Sequence, residues 1–324
     1  MLRRAALYLF VGMLCVSCAA PAATPTPAAL RKIRLPMGYI PSVQYANFYV
    51  AVEKGYFREA GVEVEFDYSF ETNGVQLVGA NELPFAVVSG EQVLLARAQD
   101  LPVVYVMAWY QKFPVAVIAK AESGIVTPAD LKGKRIGVPI LGGANFVGLR
   151  ALLAAAGLRA EDVTVEEIGF NQVEALNAGR VDAAVVYANN EPIRLAAQGV
   201  RLNVIPVGDY ATLAANGLLT NAETIRTEPE LVRGFVRAIV RGIQDVIADP
   251  DEAYIISKKY APDALKDDAL EKQVLAATIE LWKTDRVGFI RTEAWQNMQA
   301  TLLDAGLLSR PLDVNAAFTN DFVP

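Results

Sequence analysis

Short apolar runs alternate with segments whose apolar residues recur at helical spacing along most of the chain. Residues 62–66 alternate strictly between apolar and polar positions, which is typical of a half-buried strand. Phe48, Val52 and Tyr56 recur every four residues, which predicts a helix over 47–57. The same reading predicts strands at 33–38, 85–88, 103–107, 115–119, 135–138, 163–168, 181–186 and 202–207, and helices at 75–80, 92–99, 146–156, 173–178, 228–249, 262–282 and 292–305.

This alternation predicts an α/β fold in two lobes, each a mostly parallel sheet flanked by helices. The pattern becomes helical after about Asn216. We therefore expect two crossovers between the lobes, with residues 32–110 and 215–324 in lobe 1 and residues 111–214 in lobe 2. Ligands of such sheets bind outside the carboxyl ends of the strands, so the site should lie in the cleft between the lobes.

The first thirty residues have the pattern of an export signal. Arg3 and Arg4 precede an apolar stretch that is shorter than the ~20 residues of a membrane span. We expect residues 1–17 to be a lipoprotein signal peptide, Cys18 to be lipidated, and the Pro/Ala/Thr-rich residues 18–31 to be a tether. The alternative is an ordinary secretory signal that is cleaved near Ala20 or Ala23.

Composition excludes several chemistries. The 324 residues include no histidine and two cysteines, Cys15 and Cys18, both in the predicted signal region. Histidine bases, histidine zinc sites and a thiol nucleophile in the folded body are therefore excluded. The formal net charge of −6 disfavours binding to nucleic acid.

Several motifs carry a family resemblance that covers roughly residues 33–305. The chain resembles importer binding proteins of the NMT1/THI5-like family in the segments 39–42, 48–57, 61–64, 130–138, 175–183 and 230–235. The resemblance implies the type II periplasmic-binding-protein fold and delivery of a solute to an ABC permease. Members take up pyrimidine precursors of thiamine, sulfonates and nitrate, and this chain is most similar to the riboflavin-binding components of flavin importers.

Polar and aromatic residues at strand ends and crossovers are the candidate ligand contacts. Trp109 and Tyr110 lie at the first crossover, where an aromatic pair is either packing between the lobes or a stacking wall for a flat ring. Asn47 and Ser89 have helix capping as the alternative role. The full candidate set is Ser42, Gln44, Tyr45, Asn47, Asn73, Ser89, Glu91, Trp109, Tyr110, Asn145, Phe146, Tyr187, Asn189 and Glu191.

The chemistry of these candidates favours an uncharged heteroaromatic solute. A sulfonate or nitrate site would need a cation at the cleft, and neither Lys112 nor Arg150 sits clearly at a strand end. The resemblance implies riboflavin as the transported ligand, with a thiamine pyrimidine precursor as the alternative. We expect no cofactor and no metal, and a monomer anchored by lipid on the extracytoplasmic face of the cell membrane.

Two other functions remain as alternatives. The resemblance includes a pyrimidine synthase that consumes its own histidine, which this chain lacks. Glu91 and Glu191 could serve as an acid/base pair for hydrolysis, but nothing in the sequence positions a nucleophile. We therefore expect a binding protein rather than an enzyme, or else an adhesive or sensory surface domain.

Overall fold

Ten strands and twelve α-helices make up the computed structural model, which describes residues 29–324. The predicted signal peptide, the lipidation site Cys18 and most of the predicted tether lie outside the described residues. The strands are β1 (Arg31–Gly38), β2 (Val62–Phe70), β3 (Ala86–Val88), β4 (Val103–Ala108), β5 (Val115–Lys120), β6 (Arg135–Val138), β7 (Thr164–Glu167), β8 (Ala183–Tyr187), β9 (Leu202–Pro206) and β10 (Gly217–Asn221).

The helices follow and flank these strands. Among the described residues, none is long and apolar enough to cross a membrane. They are α1 (Ala46–Glu53), α2 (Tyr56–Glu59), α3 (Glu71–Gly79), α4 (Gly90–Arg97), α5 (Gly143–Ala155), α6 (Gln172–Asn177), α7 (Glu191–Ala197), α8 (Ala222–Thr227), α9 (Pro229–Ala248), α10 (Pro250–Tyr260), α11 (Asp268–Trp282) and α12 (Thr292–Asp304).

The strands fall into two groups. In the first strand group, β1 pairs in parallel with β2, and β10 pairs antiparallel with both β3 and β4. Strand β1 packs beside β3, which joins the two ladders into one layer. The second sheet has the order β7-β6-β8-β5-β9, in which β5 alone runs against its neighbours. The predicted α/β architecture of sheets flanked by helices is confirmed.

The chain passes between the strand groups twice, after β4 and after β9. The two crossover segments lie side by side, because the backbone N–H groups of Trp109 and Tyr110 both donate to the carbonyl oxygen of Asn216, at 2.9 and 3.0 Å. This contact fixes an aromatic pair at the junction of the two groups.

Strand β10 corrects the prediction that the chain turns helical after Asn216. The five residues Gly217–Asn221 are all buried and form the middle strand of the β3-β10-β4 ladder. A short strand that starts with glycine and has a single β-branched residue, Thr220, lacks an alternating pattern, so local sequence does not reveal it.

The long helix ends before Pro250 as predicted, and an additional helix that the sequence pattern does not predict begins at this proline. Proline is favoured in the first turn of a helix because it has no N–H group to satisfy. Asp249 caps α10 by accepting a hydrogen bond from the Glu252 N–H at 2.9 Å.

Candidate functional site

A cavity that opens to solvent lies where the two strand groups meet at the crossovers. Its empty volume is about 820 Å³ including the solvent at its mouth. The ends of β1 and β2 contribute one wall, and the segments after β6, β7 and β8 contribute the other. Seven of the predicted site residues line it, namely Gln44, Tyr45, Trp109, Tyr110, Asn145, Tyr187 and Glu191.

Three aromatic rings at the cavity wall stack face to face on one another. Tyr45 stacks on Trp109 with ring centroids 5.5 Å apart, and Trp109 stacks on Tyr110 at 4.1 Å. The Tyr45 hydroxyl donates to the Met37 carbonyl at 2.7 Å, which fixes its ring. The indole N–H of Trp109 donates to Asn47 Oδ1 at 3.1 Å. Because each ring is held by its neighbour, the stack is rigid, and a planar ligand can contact its edges or outer faces but not the faces that the rings share.

A pair of carboxyl groups lies on the side of the first strand group. Glu71, at the start of α3, lines the cavity and accepts hydrogen bonds from the Ser89 N–H at 3.1 Å and from Asn216 Nδ2 at 3.0 Å. The Ser89 hydroxyl also contacts Glu71 Oε2, at 2.6 Å, and it hydrogen-bonds Glu91 behind it.

Burial shifts the protonation of these carboxyl groups. It raises the pKa of Glu71, against hydrogen bonds from Ser89 and Asn216 that lower it. Burial, together with the nearby Glu71, raises the pKa of Glu91 to about 8. Burial also raises the pKa of Glu191 on the opposite wall.

The second sheet contributes a polar network at the end of β8. The Tyr187 hydroxyl donates to Asn216 Oδ1 at 2.9 Å, which ties the second sheet to the crossover. Glu191 accepts from the Tyr187 N–H at 3.1 Å and from Asn190 Nδ2 at 2.9 Å. The same amide lies 3.2 Å from the hydroxyl of Tyr39, at the end of β1. The network therefore crosses from one wall to the other.

Several predicted site residues lie behind the lining. Ser42 caps a short turn, Asn47 holds Trp109, and Ser89 and Glu91 hold Glu71. Asn189 is buried and donates to Thr278 Oγ1 at 2.8 Å, on α11.

Two predicted residues lie away from the cavity. Phe146 is half-buried on α5 and is not part of the lining. Asn73 is exposed on α3, because this helix begins at Glu71 and turns the Asn73 side chain toward solvent.

Some polar atoms in this region have no hydrogen-bond partner within the described part of the chain. They include the Tyr110 hydroxyl, Asn189 Oδ1 and Glu91 Oε2, all buried. Buried polar groups are normally hydrogen-bonded, so these atoms are exceptions within the described chain.

The sequence reasoning missed several lining residues. Glu71 was not predicted as a site residue, because β2 continues to Phe70, four residues beyond the predicted end of this strand. Tyr39 directly follows a correctly predicted strand and could have been found by its position. Phe70, Phe170, Asn190 and Asn216 also line the cavity.

Aromatic rings from both strand groups meet at the cavity mouth. Phe170, which follows β7, contacts Tyr39 edge to face at 4.8 Å and stacks on Phe70 at 5.5 Å. These contacts join the walls across the opening.

The charged residues of the lining are acidic. Glu71 and Glu191 line the cavity, and no lysine or arginine does so among residues 29–324. Lys112 and Arg150 both lie outside the lining. Within the same range, no group of three or more acidic or cysteine side chains is arranged to hold a metal ion.

The NMT1/THI5-like family profile matches residues 42–253, more than half of the chain. The chain belongs to the NMT1/THI5-like family. Riboflavin-binding protein RibY of Chloroflexus aurantiacus is 44% identical over 94% of this chain and 91% of its own. The formylaminopyrimidine-binding protein of Halalkalibacterium halodurans is 27% identical, over 90% and 91% of the two chains.

Solved structures of other proteins share the fold of this NMT1/THI5-like chain. The alkanesulfonate-binding protein SsuA from Xanthomonas axonopodis pv. citri superimposes with a TM-score of 0.71 at 18% identity, over 90% of this chain and 100% of the other. The predicted periplasmic-binding-protein fold is thereby confirmed.

Proposed function

We propose that the protein captures riboflavin in the cavity between its two strand groups and hands it to the permease of an ABC importer. The observation that carries this proposal is the cavity itself, which has a stacked aromatic wall, carboxyl and amide groups around it, and no lining cation in the described chain. Ligand sites of this kind combine apolar walls with a few placed polar groups.

The chemistry of riboflavin matches these groups. Its flat ring system would pack against an open face or edge of the Tyr45–Trp109–Tyr110 stack, where aromatic contacts contribute about 0.5–1.5 kcal/mol beyond burial. The ring edge carries an N–H donor between carbonyl acceptors, and the ribityl chain carries hydroxyls. Carboxyl oxygens accept from such donors, whereas amide and tyrosine groups donate to such acceptors. Gln44, Asn145, Tyr187 and Glu191 are our proposed polar contacts.

The family relatives support this ligand. RibY is named as a riboflavin-binding protein and shares 44% identity over nearly all of this chain. The relative at 27% identity is named for a formylaminopyrimidine, so a smaller pyrimidine is the second candidate. Both relatives are named as binding proteins, and the chain has no histidine. We therefore propose a binding protein rather than an enzyme.

Cleft closure would accompany ligand capture. We propose lobes of residues 32–110 with 215–324 and of residues 111–214, since the strands of each range hydrogen-bond mainly among themselves. The paired crossovers would then act as the hinge. We further propose that residues 1–17 direct export, that lipidated Cys18 anchors a monomer to the extracytoplasmic face of the cell membrane, and that residues 18–31 form the tether.

Isothermal titration calorimetry of the full chain tests the proposed ligand. Riboflavin should bind with one molecule per chain, and formylaminopyrimidine should bind more weakly in a parallel titration. Tighter binding of the pyrimidine would favour the second candidate. An absence of heat with either compound at micromolar concentrations would contradict both.

A further inference from the structure

The Ser89 hydroxyl lies between two carboxyl groups. Its Oγ is 2.6 Å from Glu71 Oε2 and also hydrogen-bonds Glu91 Oε1. Both Ser89 and Glu91 are fully buried. A hydroxyl group has one proton, so it can donate to only one of these two oxygens. The second contact is a hydrogen bond only if one carboxyl group carries a proton of its own.

The surroundings indicate which carboxyl group is protonated. Glu71 accepts from the Ser89 N–H and from Asn216 Nδ2 in addition to the hydroxyl, and such donors stabilise a carboxylate. Glu91 Oε2 is buried with no partner among the described residues, where a charge is costly. Glu91 therefore donates its proton to Ser89, Ser89 donates to Glu71, and the negative charge lies on Glu71. The raised pKa of Glu91, about 8, is consistent with this order.

The charge on Glu71 faces the cavity without a compensating cation. Glu191 adds a second carboxyl group to the lining. The nearby guanidinium of Arg194 is directed elsewhere, to Glu271 at 2.9 Å and Asn190 at 2.7 Å. Within residues 29–324, no lysine or arginine lines the cavity.

We propose that the cavity selects neutral solutes that carry hydrogen-bond donors, and that the Glu91–Ser89–Glu71 relay excludes phosphorylated forms of the same solute by holding a carboxylate at the cavity wall. This inference rests on the proposed function. A phosphate monoester brings a charge of about −1.5 to −2. It would lose its hydration in the cavity and gain repulsion from Glu71 in return.

The test compares riboflavin with riboflavin 5′-phosphate on the wild-type full chain, at pH 7 and matched ionic strength. We expect the phosphate to bind at least about 100-fold more weakly, because like charges repel more strongly in a partly buried site than in water. Glu71→Gln should reduce this ratio roughly tenfold, since it removes one charge but keeps the side-chain shape. Glu122→Gln, at an exposed position outside the lining, should leave the ratio unchanged.

The possible outcomes distinguish a failure of this inference from a failure of the proposed function. Equal binding of both flavins would overturn the selectivity and leave the riboflavin function standing. Binding of neither flavin would overturn the proposed function and this inference with it. If Glu71→Gln does not fold, Glu191→Gln tests the same charge effect on the opposite wall. Selectivity that persists undiminished in every folded carboxyl variant would assign it to cavity shape and contradict the role of the carboxylate.

Discussion

Glu91 is a buried carboxyl group whose protonation makes stability depend on pH. Glu71, Tyr105 and Tyr187 face it, and burial raises the pKa of both tyrosines, so they stay neutral. Its pKa of about 8 lies above the usual 4.5, so between these values the folded chain holds a proton that the unfolded chain has released. The contribution of Glu91 to stability is therefore full below pH 4.5 and is lost as pH rises toward 8.

Glu91→Gln should remove this pH dependence, because glutamine stays neutral and can still donate to Ser89. We expect the melting temperature of the variant to fall less than that of the wild type between pH 5 and pH 8. Differential scanning fluorimetry across this range measures the difference, with Glu122→Gln as a control that should follow the wild type. Parallel curves for Glu91→Gln and the wild type would show that Glu91 is already ionised at low pH.

Single residues of the site were predictable where the strand end or crossover that positions them was predictable. Tyr45, Trp109 and Tyr110 were found because they follow a strand or lie at a crossover. Glu71 was not found, because locating it requires the true end of β2, which is fixed by pairing with β1 rather than by local pattern.

At the scale of elements, strand β10 requires glycine at position 217, because neighbouring atoms leave no room for a side chain there. A Cβ atom added to Gly217 would lie 2.1 Å from both the Met107 carbonyl oxygen and the Tyr105 hydroxyl. Gly217→Ala should therefore destabilise the fold by roughly 1–3 kcal/mol, the usual cost of overpacking. Chemical denaturation measures the free energy of unfolding.

Gly208→Ala is the matched control for this prediction. Its added Cβ would meet nothing closer than 4.0 Å, so its free energy of unfolding should change little. Equal stability of the two variants would mean that β10 is not packed as described.

Strands and helices were predictable where their own residues show a clear apolar pattern. Parallel strands such as β6 and β8 were found because valine and isoleucine are enriched between helical segments. Helix α10 was not predicted, because Pro250 marks the end of α9 and, with the Asp249 cap, also the start of a new helix. The middle strand β10 owes its position to two neighbours far away in sequence, Ala86–Val88 and Val103–Ala108.

At the scale of the whole molecule, Phe170 joins the two walls of the cavity. Phe170→Ala removes its contacts with Tyr39 and Phe70, each worth about 0.5–1.5 kcal/mol. We expect riboflavin to dissociate several-fold faster, with a smaller change in association, because the mouth opens more readily.

Stopped-flow fluorescence gives both rate constants for Phe170→Ala. Val126→Ala, at an exposed apolar position outside the lining, should leave them unchanged. A dissociation rate equal to that of the wild type would exclude the mouth aromatics from retention of the ligand.

The division into two α/β halves was predictable, because the alternation of strands and helices is a repeated local signal. The aromatic contacts across the cavity mouth were not predictable. They depend on Tyr39, Phe70 and Phe170, which are remote in sequence and meet only once both strand groups have folded.

A crystal structure of the chain with riboflavin tests the central claim most directly. The account predicts that the flavin ring packs against the Tyr45–Trp109–Tyr110 stack, with polar contacts from both strand groups. A flavin bound outside this cavity, or one that contacts a single strand group, would contradict it.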